Sequence, residues 1–445
     1  MGKKCLIISV TAFLLCYAMT VRAQDSQAQR ISTEKTLTGV DTSLWIESSF
    51  QVSPDARHTA YIAKAGDKRC MVVDGVKGNQ YDGIATGRHV FSPDSKRVAY
   101  AAVTGEKHCV VVDGKEEKHY DGIGVTGPVF SPDNKHMAYS ARTGTNWFVV
   151  HDGKEGKPYN GIMEGTPVFS PDSTHMVYAA EVDSLFGGKK WLMVADGKEG
   201  KPYKGIAASG PVISPDGSKV AYAALAGKKW LMVESGVEGK PYDDIKAGSY
   251  VFSADSRRLA YVVKVNDRYS DKYRVVLDGK ELKLYDSIGK GTLVFSPDSA
   301  YLAYVASTGD KYFVVVDGKE DDRKFQIISA GSLTISNDGR HMAYEVRVDK
   351  KFSVVLDGKM GKPYDGITLN SLVFSPDSAH LAYAAQTENK EVVVVDGVEG
   401  RPYDAVVTTG GGRVVFDGPH DLHYIARKSK TQFSLVEERI KDGKD

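Results

Sequence analysis

Histidine is the residue type whose spacing most suggests chemistry in this sequence. Six histidines lie three residues after an aspartate that recurs along the chain: His58, His136, His175, His341, His380 and His420. A ring of imidazoles could hold a metal ion, since Zn²⁺ takes nitrogen ligands at ~2.1 Å. Equivalent residues of neighbouring units should, however, lie ~10 Å apart, and other units carry Arg97, Lys219 or Arg258 at this position. We therefore interpret the histidines as donors that cap the turn at the aspartate, and we predict no metal site and no cofactor.

A repeated lysine is the second feature that could bind a ligand. It precedes an apolar stretch in eight units: Lys68, Lys107, Lys190, Lys229, Lys272, Lys311, Lys351 and Lys390. These side chains would surround one face of the molecule, where an anionic partner could dock. The alternative is a solvated rim, because the neighbouring acids Asp67, Glu106, Asp271, Asp310 and Asp349 would cancel much of the field within a Debye length of ~8 Å.

Two insertions interrupt the repeat at 183–188 and 266–271. Both lengthen the same loop, two units apart, and each offers an aromatic side chain. Binding residues concentrate on loops held by a rigid scaffold. The predicted binding residues are therefore Phe186, Arg268 and Tyr269, together with Lys190, Lys229 and Lys272.

The element that must position these residues recurs ten times. Its signature is a Ser-Pro-Asp turn followed by a strand that ends in Ala-Tyr, as in Phe91-Ser92-Pro93-Asp94 to Tyr100. The anchor aspartates follow one another at a nearly constant interval: Asp55, Asp94, Asp133, Asp172, Asp216, Asp255, Asp298, Asp338, Asp377 and Asp417. A period near forty residues predicts an array of one supersecondary unit.

One unit, residues 128–162, contains four short segments rich in Val, Phe, Tyr and Ile, separated by Pro, Asp and Gly. This pattern predicts four antiparallel strands, the fourth at Lys157 to Ile162, and no helix. Such a sheet cannot bury both faces alone, whereas a ring of sheets can, so the sequence predicts an all-β fold, the β-propeller. The second-strand tyrosines, such as Tyr100 and Tyr139, should pack between blades; a carbohydrate-stacking ladder is the alternative.

The segment Phe91 to Tyr100 resembles the repeat of TolB and of the N-terminal propellers of prolyl-oligopeptidase-type enzymes, often called WD-like. The resemblance covers about residues 50–436 and implies the fold. The repeated Val-Val-Asp-Gly-Lys-Glu-Gly-Lys-Pro-Tyr theme departs from the TolB pattern, and the TolB N-terminal domain has no counterpart here.

Strands from both chain ends should close the ring. The tenth unit lacks a fourth strand, and the segment from about Leu37 to Ile46 precedes the first anchor, with Thr42 in the fourth-strand place. Joining them removes exposed sheet edges. We favour a single ten-bladed propeller over 37–437, with a tail at 438–445; two five-bladed rings are the alternative. Ten blades would leave a water-filled channel of roughly 9 Å radius.

The first 23 residues predict a secretory signal peptide cleaved after Ala23, with a disordered segment at 24–36. The predicted location is secreted or periplasmic, with no membrane span. Removing Lys3, Lys4 and Arg22 takes the formal net charge from +1 to −2, which argues against nucleic acid as a partner. Cys70 and Cys109 hold equivalent positions in neighbouring units and should be two buried thiols.

Motifs of catalysis are missing from the sequence. There is no Gly-x-Ser-x-Gly elbow, no His-Glu-x-x-His and no Gly-rich phosphate loop. His420 and His423 would face opposite sides of a strand, so shared ligation is not expected. We predict no catalytic residues and an exported, monomeric, non-enzymatic propeller that binds a protein or glycan across one loop face. The alternative is a propeller enzyme that acts on a glycan or peptide in the central channel.

Overall fold

The computed structural model of the protein describes residues 30–37, 42–87, 89–184, 187–266, 270–408 and 410–441. The predicted signal peptide, Cys5 and Cys16 lie outside the described residues. Within the described residues the chain is all-β, with one 3₁₀ turn at Glu47–Ser49. The predicted fold class is confirmed.

The described strands form ten antiparallel sheets, which we number one to ten in chain order, each with the strand order fourth, third, second, first. The second strands are Thr59–Ala65, Val98–Thr104, Met137–Thr143, Met176–Asp183, Val220–Ala226, Leu259–Asn266, Leu302–Thr308, Met342–Val348, Leu381–Thr387 and Asp421–Ser429. The third strands are Lys68–Val73, Lys107–Val112, Asn146–His151, Lys189–Ala195, Lys229–Glu234, Asp271–Leu277, Lys311–Val316, Lys351–Leu356, Lys390–Val395 and Gln432–Ile440. The fourth strands are Val76–Tyr81, Lys115–Glu116, Lys154–Glu155, Lys198–Glu199, Val237–Tyr242, Lys280–Glu281, Lys319–Glu320, Lys359–Met360, Val398–Glu399 and, in sheet ten, Arg30–Thr36.

The first strand is interrupted in most sheets, because a short bulge divides it into two pieces that both pair with the second strand. The first strands are Gln51–Val52, Gly83–Ile84 with Val90–Phe91, Gly122–Ile123 with Val129–Phe130, Gly161–Ile162 with Val168–Phe169, Gly205–Ile206 with Val212–Ile213, Asp244–Phe252, Ser287–Ile288 with Val294–Phe295, Ile327–Ile328 with Thr334–Ile335, Gly366–Ile367 with Val373–Phe374, and Ala405–Val406 with Val415–Phe416.

The fourth strand predicted at Lys157 to Ile162 is wrong from Asn160 onward. Tyr159 donates its N–H to the carbonyl of Trp147 in sheet three, whereas the next residue, Asn160, donates to the carbonyl of Glu181 in sheet four. Gly161–Ile162 therefore begins the first strand of sheet four. The chain passes from one sheet to the next within a single peptide, which explains the near-constant interval between this aromatic residue and the next anchor aspartate.

Hydroxyl side chains stabilise the bulge of the first strand. Thr292 donates its Oγ1 hydrogen to the carbonyl of Gly289 at 2.9 Å and accepts the N–H of Val305 from the second strand at 3.1 Å. Gly291, at φ 68°, turns the bulge in the left-handed region and lies 3.7 Å from Gly331 of the next sheet, measured from an added Cβ. The first strands of neighbouring sheets therefore approach each other closely at one edge, which we call the inner edge.

Aromatic pairs connect consecutive sheets, as predicted for the second-strand tyrosines. Tyr139 of sheet three contacts Tyr120, which follows the fourth strand of sheet two, in a T-shaped pair with ring centroids 6.3 Å apart. Equivalent pairs recur around the molecule: Tyr81–Tyr100, Tyr159–Tyr178, Tyr203–Tyr222, Tyr242–Tyr261, Tyr285–Tyr304, Phe325–Tyr344, Tyr364–Tyr383 and Tyr403–Tyr424. Because the second-strand tyrosines are at least 95% buried, the alternative of a carbohydrate-stacking ladder is wrong.

Apolar clusters link each sheet to the next, and one links sheet ten to sheet one through Val52, Ile425 and Phe433. This order of contacts is that of a β-propeller. Cys70 and Cys109 are buried free thiols, as predicted.

The strand that completes sheet ten is not the one expected. Arg30–Thr36 pairs with Gln432–Ile440 in antiparallel register, whereas Leu44 and Trp45 hydrogen-bond or pair with sheet one. The guanidinium of Arg30 explains this choice, because it lies 2.8 Å from the buried carboxylate of Glu438. The prediction of disorder at 24–36 is thus wrong for 30–36, and the propeller extends beyond 37–437 at both ends.

The Ser-Pro-Asp turns bind to one another. Ser131 donates its hydroxyl hydrogen to the carboxylate of Asp133 at 2.6 Å, and Asp133 donates its backbone N–H to Ser173 Oγ of the next turn at 2.9 Å. Ser173 reaches this position with φ 64°. The same bond to a serine Oγ recurs from Asp55, Asp216, Asp255 and Asp338, and the N–H of Asp94 bonds instead to Asn134 Oδ1 of the next turn. The repeated motif therefore connects sheets as well as closing a turn.

The repeated histidines do not cap the anchor aspartate as their main contact. His136 Nδ1 lies 2.7 Å from the carboxylate of Asp152, in the Asp-Gly turn between the third and fourth strands, and the same residue pairing recurs in sheets one, four, eight and nine. The sequence argument missed this partner because a whole hairpin separates the two residues along the chain. His420 departs from the pattern, whereas His423 is buried beside Asp417 and the carbonyl of Asp55.

Candidate binding surface

The ends of the sheets where second and third strands join form one face of the molecule, which we call the hairpin face. Both insertions lengthen hairpins there: in sheet four the second strand extends to Asp183, and Ser184 N–H bonds to the carbonyl of Gly188 at 2.9 Å. In sheet six, Lys264 and Asp271 form an ion pair at 2.7 Å. The predicted binding residues Phe186, Arg268 and Tyr269 lie outside the described residues.

An ion pair with a fixed spacing neutralises most of the repeated lysines. Lys107 Nζ lies 2.6 Å from Asp121 Oδ1, and the other oxygen of Asp121 accepts the N–H of Gly144 in the next hairpin at 2.7 Å. We call this arrangement the Lys–Asp clasp. Lys107 is the largest cause of the lowered pKa of Asp121, followed by the Gly144 N–H. The clasp therefore cancels charge and ties neighbouring sheets together.

The ion pair of the clasp recurs in five further sheets: Lys68–Asp82, Lys229–Asp243, Lys272–Asp286, Lys351–Asp365 and Lys390–Asp404. Two of the predicted binding residues, Lys229 and Lys272, are thus paired with acids. The ion-pair partner is mostly not one of the neighbouring acids named from the sequence, because it lies beyond the third strand, in the peptide that crosses between sheets. Asp310, which lies 3.4 Å from Lys311, is an exception.

The clasp is broken in sheets three and four. Sheet three carries Asn146 and Asn160 at the two positions, and sheet four carries Lys190 and Lys204. Neither Lys190 nor Lys204 forms an ion pair with an acid in the described part of the chain. This part of the hairpin face therefore carries two lysines at positions that hold a salt bridge in other sheets.

Three tryptophans hold one repeat position in consecutive sheets: two lie in the sheets whose clasp is broken, and the third lies in sheet five, which keeps its ion pair. Trp147, Trp191 and Trp230 follow the lysine position in sheets three, four and five, and all three are half-buried. Each pairs with, or bridges to, the aromatic residue at the end of the fourth strand, as in Trp191 with Tyr203. Consecutive sheets are ~10 Å apart, so the indoles form a row of roughly 20 Å.

We call these three tryptophans, together with Lys190 and Lys204, the Trp–Lys patch. Lys190 is the one predicted binding residue that belongs to the patch as defined. Sequence reasoning missed the tryptophans and Lys204, although a signal was present: Lys204 stands where Tyr-Asp is the repeated pair, and three of the four tryptophans of the chain occupy one repeat position.

Ionisable side chains of several sheets lie at the inner edge. Among the described residues, Glu47, Glu164 and Lys290 lie at the tips of first-strand bulges in sheets one, four and seven. Lys246 of sheet six donates to the carbonyl of Ile288 at 2.6 Å, near Lys290. The buried Glu345 of sheet eight accepts the hydroxyl hydrogen of Ser329 at 2.7 Å.

Three solved structures with similar folds are remote in sequence. A eukaryotic initiation factor is 13% identical, with 77% of this chain and 93% of that chain covered at a TM-score of 0.47. TolB from Acinetobacter baumannii is 14% identical over 66% of this chain and 80% of its own, with a TM-score of 0.28. The acylaminoacyl peptidase of Pyrococcus horikoshii is 14% identical over 63% and 52%, with a TM-score of 0.32.

No family model matches the chain, and no curated protein matches it. The resemblance to TolB-like and WD-like propellers is a likeness of fold, and the propeller assignment rests on the ten sheets of this chain. No helix in the described residues is long and apolar enough to cross a membrane.

Proposed function

We propose that the protein is an exported, non-enzymatic binding module and that the Trp–Lys patch is its binding surface. The observation that carries the proposal is the replacement of the Lys–Asp clasp by Lys190 and Lys204 beside Trp191, in a row of three half-buried indoles. Like charges at adjacent positions destabilise a fold. A departure from the repeated residue pattern that brings no stability is expected at a functional site.

The chemistry of the patch indicates an acidic partner. Tryptophan supplies large apolar contact area with a polar N–H, and it is enriched among residues that dominate binding energy. Lysines outside ion pairs attract carboxylate or sulfate groups and speed association. A protein segment rich in Asp and Glu fits both features, and an acidic glycan is the other partner class that the patch would accept.

Affinity capture from the native envelope or medium tests the proposal if it compares three forms of the chain. Lys204→Asp restores the clasp with Lys190 and should weaken partner binding at least about tenfold, a change of ~1.4 kcal/mol. Lys96→Asp makes the same charge change at an exposed position on the opposite face and should leave binding unchanged. Retention of the same partners by Lys204→Asp at full affinity would contradict the proposal.

An activity screen against glycans and peptides addresses the alternative of a propeller enzyme. We expect no turnover from the wild-type chain. Turnover that is abolished by Glu47→Gln or Glu164→Gln, at the inner edge, and not by Lys204→Asp would favour the enzyme.

A further inference from the structure

His151 is a second place where the repeat fails, at the opposite end of sheet three from the Trp–Lys patch. It occupies the position just before the Asp-Gly turn. Most other units hold an apolar residue there: Val73, Val112, Ala195, Leu277, Val316, Leu356 and Val395. A histidine at this position is therefore not required by the packing of the fold.

Strand pairing brings His151 next to the repeated His–Asp pair of its own sheet. His151 lies opposite Ala138, two residues after His136. Its Nε2 is 3.6 Å from Asp152 Oδ2, the atom that lies 2.7 Å from His136 Nδ1. The two imidazole rings are 5.5 Å apart between centroids. One potential ligand atom of each of the three residues lies within 4.8 Å of the other two.

The Nε2 atom of His151 is shielded from solvent and has no hydrogen-bond partner among the described residues. Buried polar atoms are normally paired, so a group left without a partner calls for an explanation. A metal ion bound at this nitrogen would supply the missing partner.

The spacing and the surroundings suit a metal ion with open coordination positions. Ligand atoms around a tetrahedral Zn²⁺ at ~2.1 Å lie roughly 3.4 Å apart. The 3.6 Å separation is close to this value, and the 2.7 Å hydrogen bond would have to lengthen by a small side-chain rotation. His136 and His151 border a groove of about 640 Å³ between sheets three and four, also lined by His175 and Asp196.

We propose that His136, His151 and Asp152 bind a divalent transition-metal ion such as Zn²⁺, with its remaining coordination positions open to the groove. Two imidazoles and one carboxylate are a ligand set that Zn²⁺ accepts with water completing the shell. The sequence argument against a metal considered equivalent histidines on different sheets, whereas His151 and His136 belong to the same sheet. The site is independent of the proposed binding surface.

Calorimetric titration of the full chain with Zn²⁺, without a histidine tag, tests the proposal. The wild type should bind one ion. His151→Val introduces the residue that other units use and should weaken binding about 100-fold or more, because losing a group that merely orients a ligand already costs 10–100-fold. His341→Gln removes a repeated histidine whose sheet carries Leu356 in place of His151, and should leave binding unchanged.

Leu356→His gives the converse test, because it adds the third ligand beside His341 and Asp357. It should create a second zinc site, seen as a stoichiometry of two. Co²⁺ bound to the wild type should give visible d–d absorption that His151→Val loses, while circular dichroism of each variant verifies the fold. Absence of zinc binding by the wild type, or unchanged binding by His151→Val, would overturn the proposal.

Discussion

Sheets two and four have the same strands and the same tyrosine contact with a neighbouring sheet, but their hairpin ends differ. In sheet two, Lys107 and Asp121 form a clasp that reaches Gly144 of the next sheet. In sheet four, Lys190 and Lys204 occupy the corresponding positions. The backbone is unchanged by this reversal of charge, since Lys204 donates its N–H to Leu225 in the next sheet just as Asp121 does to Arg142.

The difference shows that two kinds of contact between neighbouring sheets, buried packing and exposed ion pairs, can vary independently in this fold. Buried tyrosine pairs and apolar clusters hold sheets together all around the molecule, and exposed ion pairs add little to stability. Sheet four, where we propose the binding surface, lacks the ion pair, whereas sheets one, two, five, six, eight and nine keep it.

Acid should remove the clasps and the turn contacts together, and this is the largest effect we expect. The Ser131 hydroxyl and the Lys135 N–H lower the pKa of Asp133 to about 2, and Lys107 and the Gly144 N–H lower that of Asp121. An aspartate whose pKa is lower in the folded chain than its unfolded value near 3.8 stabilises the fold at pH values above 3.8. This stabilisation is lost as the pH falls through the pKa of the folded state.

The free energy of unfolding should therefore decline between about pH 7 and pH 4, because burial lowers the pKa of His89 to about 4 and the unfolded chain takes up this proton first. It should fall steeply from about pH 4 toward pH 2, as the aspartates are protonated. The pKa is also lowered at the other anchor aspartates: Asp55, Asp94, Asp172, Asp216, Asp255, Asp298, Asp338 and Asp377. Urea unfolding at several pH values measures this. A chain equally stable at pH 2.5 and pH 7 would show that these contacts contribute nothing.

Trp191→Leu should weaken partner binding about tenfold, since a buried interface tryptophan commonly contributes more than about 1 kcal/mol. Phe352→Leu is the matched control, because Phe352 holds the same repeat position in sheet eight beside an intact clasp. Binding measured by biolayer interferometry should separate the two variants. Equal losses would place the binding surface elsewhere.

Asp121→Asn should have the smallest effect, because it opens one exposed clasp and leaves the tyrosine pair intact. The thermal midpoint should fall by no more than about 2 °C, and partner binding should not change. A much larger fall, followed by calorimetry, would mean that the clasp carries the fold and that sheet four is stabilised in another way.

The sequence allowed the sheets to be predicted because the repeat places turn and strand residues at fixed spacing. It also predicted the packing of tyrosines such as Tyr139 and the two buried thiols. The closing strand was assigned to the wrong segment because residue counting from Asp55 ignored the Arg30–Glu438 ion pair, which joins residues 408 positions apart.

The candidate site was less predictable. In the sequence, Lys190 is one of eight equivalent lysines. It differs from most of the others because Lys204, and not an aspartate, occupies the partner position. The two positions come together only where the chain crosses between sheets. His151 reaches His136 only through the pairing of the second and third strands. Such contacts depend on the register in which neighbouring strands pair. The pattern of a single sequence does not specify which individual side chains this register brings together.

Hydrogen–deuterium exchange of the chain with and without its captured partner tests the central claim most directly. The account predicts slower exchange at the hairpin ends of sheets three, four and five, around Trp147, Trp191 and Trp230, and unchanged exchange at the equivalent ends of sheets eight and nine. Slowed exchange confined to the Ser-Pro-Asp turns or to the inner edge, with the Trp–Lys patch unaffected, would contradict it.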